Sequence, residues 1–197
     1  MLNNRSILLT GGARGLGAEI AKCLSEHGAK IIIADIDAQE GRRTANKLGV
    51  HFFHVDIEDP NSIEALLKDV AKTFDGKLDG LVNNAAYTSK GAKEKSDNAF
   101  GSFENFPIKI WQKSIDINLS GVFFCSQAFG KIMVKQGKGV IVNIASTYGL
   151  VGADQRIYGK SGLNLPISYA ATKGAIVNLI RYLAAYWSGK NIRVNTL

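Results

Sequence analysis

Short apolar runs alternate with helical stretches along the whole of this chain, and no other feature constrains its fold as tightly. Ser6–Thr10 is an apolar run, and Gly15–His27 then sets Ile20, Ala21 and Leu24 on one helical face. Lys30–Ala34 is a continuous Ile/Ala run, the composition of a strand buried on both faces. A polar helix reaches about Leu48, followed by a strand over Val50–Val55 and a helix opened by Asp59-Pro60 that ends near Phe74. The alternation continues through strand Leu78–Asn83, helix Ile108–Gln136, strand Gly139–Ile144, helix Ile167–Ser188 and strand Ile192–Leu197. Such a pattern predicts right-handed crossovers and an α/β, doubly wound parallel sheet with helices on both faces, a three-layer αβα arrangement in one domain over residues 1–197.

Ligands of such sheets bind beyond the carboxyl ends of the strands. Two connections leaving those ends, Tyr87–Pro107 and Tyr148–Pro166, exceed the usual length of about 2–6 residues and are expected to overhang the site.

The first strand runs into Thr10-Gly11-Gly12-Ala13-Arg14-Gly15-Leu16-Gly17. Glycines between a strand and a helix permit a tight turn, close backbone approach to a pyrophosphate, and free N–H groups aimed at its charge. Asp35 ends the second strand roughly 20 residues later, where a carboxylate accepts hydrogen bonds from ribose hydroxyls and repels a 2′-phosphate, favouring NAD over NADP. Arg14 is the counter-signal, because a guanidinium there can meet a 2′-phosphate. Asp56 either holds the adenine amino group or caps the next helix. Ile36 and Ile57, which follow the two carboxylates, join the expected cofactor contacts, as do Asn83, Asn84 and Ala85 at the end of the fourth strand.

Composition narrows the partners. The 24 Lys and Arg against 17 Asp and Glu give a net charge of +7, yet the basic residues are scattered and do not alternate with aromatics, which argues against nucleic acid. Cys23 and Cys125 lie apart in apolar helical context without metal-ligand spacing, so both are expected to be buried free thiols. Met1-Leu2-Asn3-Asn4-Arg5 leads straight into a strand, and no run approaches the roughly 18–20 apolar residues of a membrane span. The expectation is a cytoplasmic protein with a small-molecule substrate, no membrane and no metal.

The fifth strand ends at Ala145-Ser146, and the next helix carries Tyr169-Ala170-Ala171-Thr172-Lys173. Tyr and Lys four apart share one helical face, and an ammonium beside a phenol favours the phenolate, lowering a pKa of about 10. A phenol tuned that way exchanges a proton with a carbonyl or alcohol, and Ser146 is placed to bond the same oxygen. Tyr148 and Tyr158 compete for the role but have Gly152 and Gly162 four residues on, not lysine.

Taken in order, Thr10-Gly11…Gly15-Leu16-Gly17, Asp35, Asp56, Asn83-Asn84-Ala85, Asn118, Ser146 and Tyr169…Lys173 resemble the short-chain dehydrogenase/reductase family, in its single-domain branch with a Rossmann-type sheet. The resemblance covers essentially the whole chain. It implies hydride transfer between NAD(H) and a secondary alcohol or ketone, with Tyr169 as acid/base. Lys173 would tune Tyr169 and bind the nicotinamide ribose, Ser146 orient substrate, and Asn118 hold a relay water.

The chain departs from the family pattern in having Ala86 where a glycine is usual and in a longer gap between Ser146 and Tyr169. Together with the long Tyr87–Pro107 loop, that insertion looks like members found with bacterial polysaccharide and flagellin-modification genes. Lys90, Lys93, Lys95, Arg156 and Lys160 in the two loops point to a sugar or polyol substrate. Members usually continue past the strand at Leu197 with a lid and a last strand, so the expectation is a C-terminally truncated sheet and an incomplete pocket. The alternatives are a sugar-nucleotide epimerase or dehydratase with bound NAD, and a Rossmann binding module with weak chemistry. The apolar surface of the two long helices, including Phe123, Phe124, Leu179 and Leu183, predicts a homodimer or homotetramer.

Overall fold

Six strands form one fully parallel sheet in the order β3-β2-β1-β4-β5-β6, in a computed structural model that describes residues 2–88, 98–161 and 163–197. The strands are β1 (Ser6–Thr10), β2 (Lys30–Asp35), β3 (His51–His54), β4 (Gly80–Asn83), β5 (Gly139–Asn143) and β6 (Ile192–Thr196). Helices α1 (Gly15–Glu26), α2 (Ala38–Leu48), α3 (Pro60–Thr73), α4 (Ile108–Ile115), α5 (Val122–Gln136) and α6 (Ile167–Tyr186) make the crossovers. The α/β three-layer expectation therefore holds.

The two faces separate by residue parity. Leu9, Ile31 and Ile33 point to α1 and α2 and pack with Ala21 and Ala45. Leu8, Ile32, Leu81, Ile141 and Val194 point the other way and bury the apolar sides of α3, α5 and α6, including Leu66, Phe129 and Ile176. Because β1 is followed outward by β2 and the chain then crosses back to β4, the strand order reverses between β1 and β4. The carboxyl-end crevice opens at that reversal.

Helix ends follow local chemistry. Asp59 accepts the Asn61 N–H with Pro60 in the first turn of α3, and Gly137 ends α5 in the left-handed conformation at φ 69°. The segment expected as one helix over Ile108–Gln136 is interrupted by a π-helical stretch, Asp116–Gly121, between α4 and α5. By length and composition residues 108–136 pass for a membrane-crossing helix, which the sequence reading did not anticipate, but Cys125, Phe129 and Met133 are buried in the core. Cys23 corrects a second expectation. It is exposed, because it lies two residues, about 200° around the helix, from the buried Ala21, whereas Cys125 is buried.

Candidate active site

The glycine turn leaves β1 and enters α1 with space for an anion. Gly15 is left-handed at φ 55°, and a Cβ built on it meets nothing within 4 Å, so its outer side is open. The first turn of α1 has no side-chain cap and no acidic residue, which leaves its N–H groups and the positive end of the helix unopposed. Closeness dictates the other glycines. A Cβ on Gly11 would lie 2.5 Å from the Cα of Ala85, and one on Gly17 would collide with the carbonyl of Gly11 and come within 2.7 Å of Asn84 Nδ2.

Asn84 explains that closeness. Its Nδ2 donates to the carbonyls of Thr10 at 3.2 Å and Gly11 at 2.8 Å, while Thr10 Oγ1 accepts the N–H groups of Asn84 and Ala85, each at 3.2 Å. The end of β4 is thereby locked to the turn after β1. Asn83 differs from its neighbour. Its side chain is buried and donates to Ser126 Oγ at 3.2 Å and Asn143 Oδ1 at 2.9 Å, so it joins β4, α5 and β5 rather than facing the crevice. The open turn, the uncapped helix and the adjoining carboxylate together fit a dinucleotide.

That carboxylate, Asp35, accepts the Ala13 N–H through Oδ2 and the Asp37 N–H through Oδ1, both at 2.9 Å. Arg14 reaches Asp37, with Nη1 3.2 Å from Oδ2. Asp37 had no part in the sequence reading. Its signal was the spacing to Glu40, whose N–H it accepts as the N-cap of α2. Leu16 and Ile36 are exposed on the rim, whereas Ile57 is buried and packs where a Cβ on Gly121 would come within 2.8 Å of it. Asp56 accepts the Glu58 N–H at 2.9 Å, and the helix cap belongs to Asp59 instead.

The candidate chemistry lies beyond β5. Ser146 is half-buried at the start of a 3₁₀ turn over Thr147–Gly149 and accepts the Tyr148 N–H at 3.2 Å. Behind it, a Cβ on Gly149 would lie 2.7 Å from the backbone of Lys173, so the Ser146 turn rests directly on α6. The Lys173 ammonium is buried, donates to the carbonyl of Ile144, and sits 5.7 Å from the centre of the half-buried Tyr169 ring. Burial pulls the lysine down from its ordinary 10.5 to about 8. Ser146, Tyr169 and Lys173 are therefore carried by adjoining elements at one end of the sheet.

Asn118 is not on a solvated helix face but 3% exposed within the π-helical stretch. Its Oδ1 accepts the Tyr87 N–H at 2.7 Å, its Nδ2 donates to the Tyr87 carbonyl at 3.1 Å, and Thr172 Oγ1 lies at 3.5 Å. A π turn of this kind, common at functional sites, swings one residue inward.

The two long loops are tied together. Asn164 donates its N–H to the Phe100 carbonyl at 2.8 Å and its Nδ2 to that of Gly101 at 3.0 Å. Arg156 is engaged by Asp154 through two bonds, at 2.8 and 2.9 Å, rather than presented to a ligand. Lys90, Lys93, Lys95 and Gly162 lie outside the described residues. A groove of about 500 Å³ lies elsewhere, on the α1 face of β4 and β5 around Leu24, Val82, Val140 and Arg193; Ser146, Tyr169 and Lys173 take no part in it.

The sequence profile of the short chain dehydrogenase family matches residues 5–197. D-threitol dehydrogenase from Mycolicibacterium smegmatis is 34% identical over 201 positions, covering 100% of this chain and 69% of that protein. The 2-(S)-hydroxypropyl-CoM dehydrogenase 3 of Xanthobacter autotrophicus is 34% identical, with 100% of this chain and 71% of the relative covered. The crystal structure of ribose-5-phosphate isomerase from Brucella melitensis superposes with a TM-score of 0.83 at 28% identity, over 98% of this chain and 67% of that one.

Proposed function

The chain belongs to the short-chain dehydrogenase family, an oxidoreductase family acting on alcohols with NAD(P), and from that premise we propose that it transfers hydride between NAD(H) and a secondary alcohol or ketone. The observation that carries the reading is the Lys173 ammonium, buried against the Tyr169 ring and anchored on Ile144 two residues before Ser146. In this reading residues 1–197 form one dinucleotide-binding unit. Gly11, Arg14, Gly15, Leu16 and Gly17 line the pyrophosphate side. Asp35, Ile36, Asp56 and Ile57 line the adenosine side, and Asn83, Asn84 and Ala85 support the middle through backbone.

The cofactor, when bound, supplies or accepts the hydride. The chain's own groups handle the proton. In oxidation Tyr169 takes the proton of the substrate hydroxyl, and in reduction it returns one to the carbonyl oxygen. Lys173 stabilises the negative charge on the phenol oxygen and binds the nicotinamide ribose. Ser146, whose hydroxyl hydrogen is not used by the Tyr148 contact, donates to the substrate oxygen and fixes its direction. Asn118 fixes the Tyr87 backbone beside Thr172, and the remaining lone pair of its carbonyl oxygen receives a relay water.

A polyol or sugar is the substrate class favoured by the likeness to D-threitol dehydrogenase. Oligomerisation through α5 and α6 is supported by Phe123, Tyr182 and Tyr186, which are 44%, 63% and 60% exposed on those helices.

Tyr169→Phe tests the reaction. Turnover of NADH with a panel of ketoses and cyclic ketones should fall by about 10²–10⁴-fold, with NADH affinity by fluorescence retained. Undiminished turnover would reject Tyr169 as the acid/base.

A further inference from the structure

We infer that Asp37 is a second determinant of cofactor choice: it holds the Arg14 guanidinium on its carboxylate and so withholds the glycine turn's one cation from a 2′-phosphate. The inference rests on reading the turn after β1 as the dinucleotide site.

The two carboxylates are held by backbone on separate oxygens. Asp35 uses Oδ2 for Ala13 and Oδ1 for the Asp37 N–H. Asp37 uses Oδ1 for the Glu40 N–H and turns Oδ2 to Arg14 at 3.2 Å. Neither carboxylate swings away without losing a backbone partner, so Arg14 meets a fixed acceptor rather than a mobile one. The other cations nearby are occupied. Arg43 pairs with Glu40, and Arg42 donates to the Ala38 carbonyl with its guanidinium 6.0 Å from the centre of the Phe52 ring. Among the described residues Arg14 is thus the cation that a phosphate beside Asp35 would meet, and Asp37 neutralises it.

Charge counting gives the consequence. Asp35, Asp37 and Arg14 together carry one negative charge, and a 2′-phosphate would bring about two more. Replacing Asp37 by Asn removes one negative charge and releases the guanidinium. Asn keeps the size of Asp and caps a helix equally well, so α2 keeps its start. NAD has no charged group at this position, so its binding is indifferent to the change.

Dissociation constants for NADPH and NADH, measured by protein-fluorescence titration and by calorimetry, test this in a cycle of wild type, Asp37→Asn, Arg14→Ala and the double variant. NADPH should bind about 5- to 10-fold tighter to Asp37→Asn, with NADH changed less than about twofold. In the Arg14→Ala background the same substitution should gain less than about twofold for NADPH. Asp37→Ser, another good helix cap, should reproduce the gain. The proposal is overturned if Asp37→Asn leaves NADPH binding unchanged, or if the gain is equally large without Arg14, since the carboxylate would then act by repulsion alone. A wild-type preference for NADPH would instead reject the reading of Asp35 while leaving the Arg14–Asp37 coupling measurable. Binding of neither nucleotide by the wild type rejects both.

Discussion

Lys173 should make the stability of this protein depend on pH in a direction opposite to that of an ordinary ion pair. The ammonium is buried at 6% exposure, and burial lowers its pKa from 10.5 to about 8. Below about pH 8 both the folded and the unfolded chain carry the proton, so the folded state bears the full cost of a desolvated cation. Between about pH 8 and 10.5 the folded chain gives up the proton first, the unfolded chain binds more protons, and stability rises with pH. Above both values the cost is gone. The gap between them corresponds to about 3 kcal/mol, of which about 2 kcal/mol is relieved between pH 7 and pH 9.5.

The perturbation that isolates this group is Lys173→Met, which keeps the length of the side chain and removes its charge and its donation to the Ile144 carbonyl. Urea unfolding of both proteins across that pH range gives a difference curve in which the titrations of groups that Lys173 does not contact cancel. Wild type should gain about 2 kcal/mol on the variant from pH 7 to pH 9.5, or a melting shift of about 4–8 °C for a chain this size. A difference that stays flat, or that grows in the variant's favour as pH rises, would refute the reasoning.

Two further outcomes follow from packing. Gly17→Ala should cost about 1–3 kcal/mol and weaken NADH binding, because the new methyl meets the Gly11 carbonyl and Asn84 Nδ2; unchanged urea midpoint and affinity would contradict the close approach. Under native conditions a thiol reagent should label Cys23 quickly and Cys125 only on unfolding, since Cys125 is buried and its thiol is pushed up to about 12 by burial; equal labelling rates would show that α5 does not shield it.

What could be read from sequence alone was whatever depends on period and spacing. The Ile/Ala run of β2, the glycines between β1 and α1, and a tyrosine four residues before a lysine are local patterns, and each element formed where its pattern lies. Contacts joining distant segments left no such trace. A π-helical stretch displaces the apolar register of residues 108–136 by only about one residue, too little to stand out within one long apolar run, so the turn that carries Asn118 inward was not legible. Asn83 and Asn84 are identical neighbours in sequence, and only the strand pleat sends one into the core and the other to the glycine turn. Arg14 read as a free cation because Asp37, 23 residues on, approaches it only when β1 and β2 pair.

The buried polar groups show the same dependence on distant partners. Among the described residues, all of these groups but Ser6 sit at the carboxyl ends of the strands, as Thr10, Asn83 and Asn143 do, or on the helices packed against those ends, as Ser114, Asn118, Ser126, Ser168, Thr172 and Lys173 do. Burying such groups is unfavourable unless they find partners, and for several the partner comes from another element: Ser114 with Ser168, Asn83 with Ser126, Asn118 with Tyr87. An apolar core tolerates exchange of one large side chain for another, but this layer does not, because every donor needs its acceptor at hydrogen-bond distance. The fold thus places its least interchangeable residues beside the turn that Ser146 opens and the first turn of α6 that carries Tyr169, and a mutation there should disturb the geometry of the site before it disturbs the sheet.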